Sequence, residues 1–429
     1  MSNRLFVGSL VHCNKKRELI TIKQAAVLVE NGKITDVTIN PDLSKIKGDH
    51  VTFLNNHEFL MPGFVDCHTH AVQFPNLGLG YDKNLLDWLE KYTFPLERKY
   101  VDENFAKRVF KTVVKRTLGM GTTTACYFAS LYGKACMELA QAVSKYGQRA
   151  FIGKVNMNVD RDDGYYENTV DSIKNTIQFV DDVIALNNPL IKPIITPRFA
   201  LSCDMKLMIE LGLLAKNKNL RIQTHISENL DEIKAVQNMF KDYTSYASVY
   251  NEAGLLTDKT ILAHGIYLTD SEIALLKQND TAVIHCPSSN ICLKSGMCDV
   301  RKLISKGLKV GLGTDVAGGQ SSSMVEAMRS ALMVSNNLAT IKNDYISLDY
   351  KEVFYMATLG GAISLGIDEE VGNLMPSKQF DALVINMNIS DSPIDNLINY
   401  TLEEQLQRFI YSGDDRNILE VYVSGRKVK

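Results

Sequence analysis

Neither sign of charge is in excess in this chain of 429 residues. Its 47 basic and 49 acidic residues leave a formal net charge of −2, and no basic block stands out. That balance argues against nucleic acid or an anionic membrane as a partner, and for a small substrate without strong charge. Long apolar runs are missing too. None reaches the ~18 residues of a membrane-spanning helix, and the opening MSNRLFVGSLVHCNKKRE holds no apolar stretch backed by a cleavage site. A cytoplasmic protein is expected. The eight cysteines form no CxxC pair and no dense framework, which excludes a disulfide scaffold and leaves reduced, buried thiols. Cys292 and Cys298 lack other ligand types nearby, which argues against zinc there. Internal repeats, low-complexity segments and long linkers are also missing.

What is present is alternation. Short apolar runs at 64–70, 122–128, 149–158, 191–199, 221–228, 260–268, 282–287 and 310–316 are separated by longer amphipathic stretches such as NFAKRVFKTVVKRTLGMG and VEAMRSALMVSNNL. Eight strand–helix units predict an α/β protein with a (β/α)8 TIM-like barrel. The terminal segments LFVGSLVHC, AAVLVENGKITDV, FDALVINMN and LEVYVSGRKVK read as strands, with hairpin signals at Asn31-Gly32 and Ser424-Gly425. They predict a small β-sandwich built from residues 1–57 and 372–429, around a catalytic barrel of 58–371.

Polar residues capable of chemistry gather at the ends of the barrel runs: His70, Arg198, His225, Glu228, His264, His285 and Asp315. In a barrel, the C-terminal strand ends share one face, and that face carries the active site. His68 and His70 are two apart, so a strand points both to one side and both imidazoles can reach one ion. His225 is the natural third ligand and Asp315, in GLGTDVAGG, the fourth. Three imidazoles and a carboxylate suit one catalytic zinc, with ferrous iron as the alternative. Lys192 lies at the far end of the fourth strand, which finishes in Arg198, so no lysine is placed to bridge two metals. Glu228, in HISE, is the expected general acid/base; the bland alternative is a carboxylate favoured by the following helix's dipole. His264 is expected to hold the attacking water or steady a tetrahedral intermediate, and Asp315 to handle a proton. His285 is expected to shape the pocket from behind. His12, His50 and His57 fall outside the barrel strands.

PGFVDCHTH, HISE, LAHG, HCPSSN, GLGTDVAGG and GNLMPSKQFDALVIN resemble the amidohydrolase superfamily. LLDWLEKYTFPLE, TPRFALSCD, QTHISEN, ATLGGAISLG, SDSPIDN and YSGDDRNILEVYVSG resemble its guanine deaminase family of the eukaryotic type. The resemblance spans nearly the whole chain. It implies metal ligands His68, His70, His225 and Asp315; substrate contacts from His70 to Gln73, from Arg198 and Phe199, and from Glu228; a homodimer; and a place in purine catabolism. Guanine fits the residues as well. Arg198 offers a rigid fork of donors to O6, or to O6 with N7, and Gln73 carries both a donor and an acceptor for another ring edge. The expected reaction is hydrolytic deamination of guanine to xanthine and ammonia. The rivals are another deaminase, acting on cytosine, adenosine or a triazine, and a non-catalytic barrel protein, from which metal ligands would be missing. Three positions depart from the family pattern: Ser377 stands where glycine is usual, Val72 where proline is usual, and Ser288 where asparagine is usual. The first should alter a turn, and the other two the pocket wall.

Overall fold

The computed structural model describes residues 3–429 apart from 47 and 49. Eight parallel strands follow one another around a barrel: Phe64–His70, Thr122–Phe128, Arg149–Gly153, Ile191–Pro197, Arg221–Ile226, Thr260–His264, Ala282–His285 and Val310–Leu312. A two-residue strand, Val155–Asn156, extends the third and pairs beside the fourth. The seam between the first and eighth units is closed by backbone bonds from Asp315 N to His68 O (2.9 Å) and from His70 N to Val316 O (3.0 Å). The two strands approach there because residue 313 is glycine; a Cβ would meet His68 Cβ and O at 2.9 Å.

All eight expected strands are present, but several end early. The fourth, sixth and eighth leave the ladder at Pro197, His264 and Leu312, not at 199, 268 and 316. The residues beyond turn out of the sheet to build loops. Ser227, His264 and Asp315 do so with positive φ (47°, 75° and 47°), a conformation that costs of order 1 kcal/mol or more for a residue other than glycine and clusters at functional sites.

Both named helical stretches form helices, Glu103–Gly119 and Met324–Ile341. The first shows why. Asp102 accepts a hydrogen bond from Asn104 N at its start, and Ala106, Phe110, Val113, Val114 and Thr117 recur at three- and four-residue spacing on its buried face. Val65, Cys67, Phe151, Ile194, Ile261 and Ile284, from five different strands, pack together inside the barrel.

The terminal segments form one mixed eight-stranded sheet. The strand Glu58–Pro62 joins its two halves. It runs parallel to Arg4–Cys13 on one side and antiparallel to Ala382–Asn386 on the other. Residues 58–62, counted with the barrel on sequence, thus pair in the terminal sheet, and the chain enters the barrel at Gly63 and Phe64. The expected sandwich is a single sheet curled over. Its hairpin tips meet: Phe380 N donates to Gly32 O (2.9 Å), Gly425 N donates to Phe380 O (3.0 Å), and a Cβ on Gly32 would lie 2.3 Å from Ser424 O. Phe6, Val27, Ile34, Phe380, Val384 and Tyr422 fill the space inside.

Candidate active site

The first strand delivers two imidazoles through a change of parity. Val65 and Cys67 face the barrel core. A register irregularity between Asp66 and Thr69 then turns the ladder, so that His68 and His70 face the cavity instead of Thr69. Asp66 holds this bend by accepting from Thr314 N (3.0 Å) and Thr314 Oγ1 (2.5 Å). The fifth strand brings in His225, the sixth His264, and the turn after the eighth Asp315.

These groups converge. His68 Nε2 lies 3.1 Å and His70 Nε2 3.3 Å from Asp315 Oδ1. His70 Nε2 and His225 Nε2 face each other at 3.2 Å. His264 Nε2 is 3.3 Å from Glu228 Oε2 and 3.7 Å from Asp315 Oδ2. His70 Nε2 and His225 Nε2 have only each other as partners, and His68 Nε2 and His264 Nε2 are buried with no aligned partner. Buried ring nitrogens aimed at one point and left unpartnered fit a metal ion better than a hydrogen-bond network. His225 Nδ1 donates to Arg198 O (2.5 Å), which fixes the tautomer and turns the Nε2 lone pair inward. Burial keeps His70 neutral by lowering its pKa to about 4, and pushes His225 down further. Neutral imidazole is the ligand form. Cys286 also reaches this cluster, but burial raises its thiol well above the usual range, so it stays protonated.

Around the cluster lies a cavity whose wall includes every expected substrate residue: His70, Gln73, Arg198, Phe199, His225, Glu228 and Asp315. Glu228 points into it. Capping of the next helix, Leu230–Met239, falls to Asn229 and Glu232; Glu232 Oε2 accepts from Glu228 N (2.8 Å) and Asn229 N (3.1 Å). The helix-start alternative for Glu228 is thereby displaced. Burial, with the charges of Asp315 and Glu232, raises the Glu228 carboxyl well above its ordinary value. Asp315 goes the other way. Burial opposes its ionisation, but contact with His68 and His70 outweighs it and holds the carboxyl well below the usual range. Two carboxyls with pKa values driven apart form an acid/base pair.

Some expectations need correction. Val72 packs in the core with Leu96 and Tyr100, and Ser288 Oγ bonds Ser330 Oγ (2.9 Å); neither lines the cavity. His285, expected behind the pocket, needs no such correction: it is fully buried without lining the cavity, and burial lowers its pKa to about 3. Arg198 does not present an open fork. Its Nη1 and Nη2 donate to Glu97 Oε2 (2.7 Å) and Oε1 (3.2 Å). Sequence reasoning did not single out Glu97, although it closes the LLDWLEKYTFPLE run. It also passed over Asn290, which accepts from His264 Nδ1 (2.8 Å), and Ser295, which bonds Glu228 (3.4 Å). Leu85, Trp88 and Leu89, from the same run as Glu97, roof the cavity with apolar surface.

The profile of the amidohydrolase family matches residues 59–428. The guanine deaminase of Homo sapiens is 45% identical, covering 99% of this chain and 96% of its own length. That of Dictyostelium discoideum is 42% identical, with 99% and 98% covered. Among solved structures, the guanine deaminase from C. acetobutylicum with guanine bound in its active site superposes with a TM-score of 0.93 at 37% identity, covering 100% of both chains. With the family profile running from the last strand before the barrel to the C-terminal sheet, and near relatives matched almost end to end, the chain belongs to the amidohydrolase family.

Proposed function

We propose that this protein hydrolyses guanine to xanthine and ammonia. The observation that carries the proposal is the convergence in one cavity of unpartnered imidazole nitrogens, a Glu228 carboxyl raised by burial, an Asp315 carboxyl held low by its histidine contacts, and the Arg198–Gln73 wall. The guanine deaminase relatives agree with it.

His68, His70, His225 and Asp315 would hold a single ion, zinc by the type and number of the donors, with ferrous iron as the alternative. When bound, the ion supplies Lewis acidity and draws the pKa of water toward ~7. Asp315 accepts the proton of the attacking water. His264 donates Nδ1–H to Asn290, so its Nε2 is an acceptor facing the same place; this favours holding the water over donating to an oxyanion. Glu228, kept protonated by burial, donates to N3 of guanine as water oxygen adds at C2. Passage of the proton from Asp315 to the exocyclic amine, with the proton of the new hydroxyl going to Glu228, releases ammonia, leaves xanthine and restores both carboxyls. Phe199 packs against the base, and Arg198 and Gln73 read its polar edge. The likeness to guanine deaminases fits a homodimer and a role in purine catabolism; no helix among the described residues is long and apolar enough to cross a membrane.

The test is ammonia release from guanine, adenine and cytosine, with elemental analysis of the protein before and after chelation. About one metal per chain is expected, with activity lost on chelation and regained on reloading. kcat/KM should favour guanine by at least ~10³, since a site built on buried polar contacts rejects a mismatched donor pattern strongly. Comparable rates on cytosine and guanine would defeat the substrate assignment, and two metals per chain the single-ion site.

A further inference from the structure

Glu97 is a carboxylate only 1% exposed, in the short helix Phe94–Glu97 beneath the cavity roof. Both of its oxygens are saturated. Oε1 accepts from Gln73 Nε2 (3.1 Å) and Arg198 Nη2 (3.2 Å), and Oε2 from Arg198 Nη1 (2.7 Å) and Tyr165 Oη (3.0 Å). Two of its four bonds go to one residue that faces the substrate and one to another. We infer that Glu97 is the positioning residue that sets which edge of Arg198 and which end of Gln73 a bound base meets. This rests on the reading of the cavity as a guanine site.

The argument is one of donor and acceptor inventory. An ionised carboxylate can only accept, so Gln73 must turn its NH2 end to Glu97. Its Oε1 then accepts from Ala317 N (3.2 Å), which can only donate. The amide is thus fixed in one of two otherwise similar orientations, with one N–H and one lone pair left over. A guanidinium has five N–H groups. Glu97 takes two, from the terminal nitrogens, Met157 Sδ takes a third from Nη1 (3.9 Å), and two remain to meet the acceptors of a base. The ring of Phe94 lies 4.9 Å from the guanidinium carbon of Arg198 and covers it further.

Charge points the same way. Burial would raise the Glu97 carboxyl, but the facing Arg198 guanidinium prevails and holds it below its ordinary value, so the pair is ionised. A neutral base therefore meets a wall of zero net charge. A buried ion pair is weak evidence of stabilisation, because desolvating two charges costs about as much as their attraction returns. Its geometric role is the stronger reason for its place here. Gln at 97 would keep the volume but bring an N–H against the guanidinium and leave its charge unbalanced.

The experiment compares wild type, Glu97→Gln, Glu97→Asp, Arg198→Ala and the Glu97→Gln/Arg198→Ala double variant in the metal-loaded protein. Metal content and thermal midpoint are checked for each, and kcat and KM for guanine are measured. Glu97→Gln should raise KM about 10- to 100-fold, the usual cost of losing an orienting partner, with a much smaller change in kcat. Glu97→Asp, which keeps the acceptor pair, should recover part of that loss. With Arg198 already removed, Glu97→Gln should keep only the part of its effect that runs through Gln73. An unchanged KM in folded, metal-loaded Glu97→Gln overturns the inference, as does the full Glu97 effect persisting without Arg198. If Glu97→Gln does not fold, Glu97→Asp decides alone: its KM must rise while kcat holds. A wild type that does not turn over guanine sinks the functional reading itself, and this inference with it.

Discussion

Glu228 shows how one side chain acquires a role its sequence position does not require. It precedes a helix, where a carboxylate would ordinarily serve the dipole. Glu232 and Asn229 cap that helix instead, and Glu228 is left beside His264 and Asp315 in the cavity wall. Burial first, then the neighbouring carboxylates, keep it protonated, the form a general acid needs. Glu228→Gln should therefore retain the metal and the fold while kcat falls ~10²–10⁴, the usual worth of general acid–base catalysis. A variant with nearly normal kcat would show that Glu228 does not move the proton. Arg198 carries a second lesson at this scale. Its donor fork was legible in the sequence, but its partner Glu97 lies 101 residues away, and no local spacing announces such a pair.

At the scale of the element, turns matter more than ladders. The barrel strands were legible because buried parallel strands are short apolar runs. Their ends were not, since residues past the last ladder bond keep an apolar sequence while leaving the sheet. Ser377 shows the energetic side. It adopts φ 76° in the turn whose N–H donates to Ile34 O (2.8 Å). A left-handed conformation costs a residue with a Cβ roughly 1–2 kcal/mol, against which glycine loses about 0.4–1 kcal/mol through its greater unfolded freedom. Ser377→Gly should therefore stabilise the protein by about 0.5–1 kcal/mol in denaturant or thermal unfolding, with kcat unchanged. A less stable variant would mean that the serine makes a compensating contact.

Across the whole molecule, the curled sheet and the barrel are joined by buried polar contacts that respond to pH. His12, on the strand Arg4–Cys13, accepts at Nδ1 from Leu374 N (3.1 Å), which leads back from the barrel. Burial, aided by Lys378, lowers its pKa from 6.5 to about 4. A base with a depressed native pKa costs nothing while both states are neutral, above pH 6.5. As pH falls toward 4, the unfolded chain takes up a proton that the folded one refuses, and stability is lost. At pH 5 the loss is about 2 kcal/mol. Unfolding at pH 7 and pH 5 should show this excess loss in the wild type relative to His12→Gln, a comparison in which acid effects on the metal site cancel. Parallel pH profiles would mean that His12 is protonated in the native state without penalty.

The sequence by itself determined the alternation of eight apolar runs with amphipathic helices, the strands of the terminal sheet that bear the two hairpin turns, and the gathering of His68, His70, His225, His264, Glu228 and Asp315 at strand ends. Each is a local pattern, of period two, of period 3.6, or of position relative to a run, and a barrel converts position along a strand into position in space. Only the tertiary structure decided the rest. The parity change between Asp66 and Thr69 that turns both histidines inward depends on Thr314 gripping Asp66 from the eighth strand unit. The strand Glu58–Pro62 joins the sheet because the N- and C-terminal halves meet on either side of it. Glu97 takes its place because Arg198, Gln73 and Tyr165 converge on it from three other segments. Such features arise from contacts between residues far apart in the chain, and a contact of that kind leaves no periodic trace in the sequence around either partner.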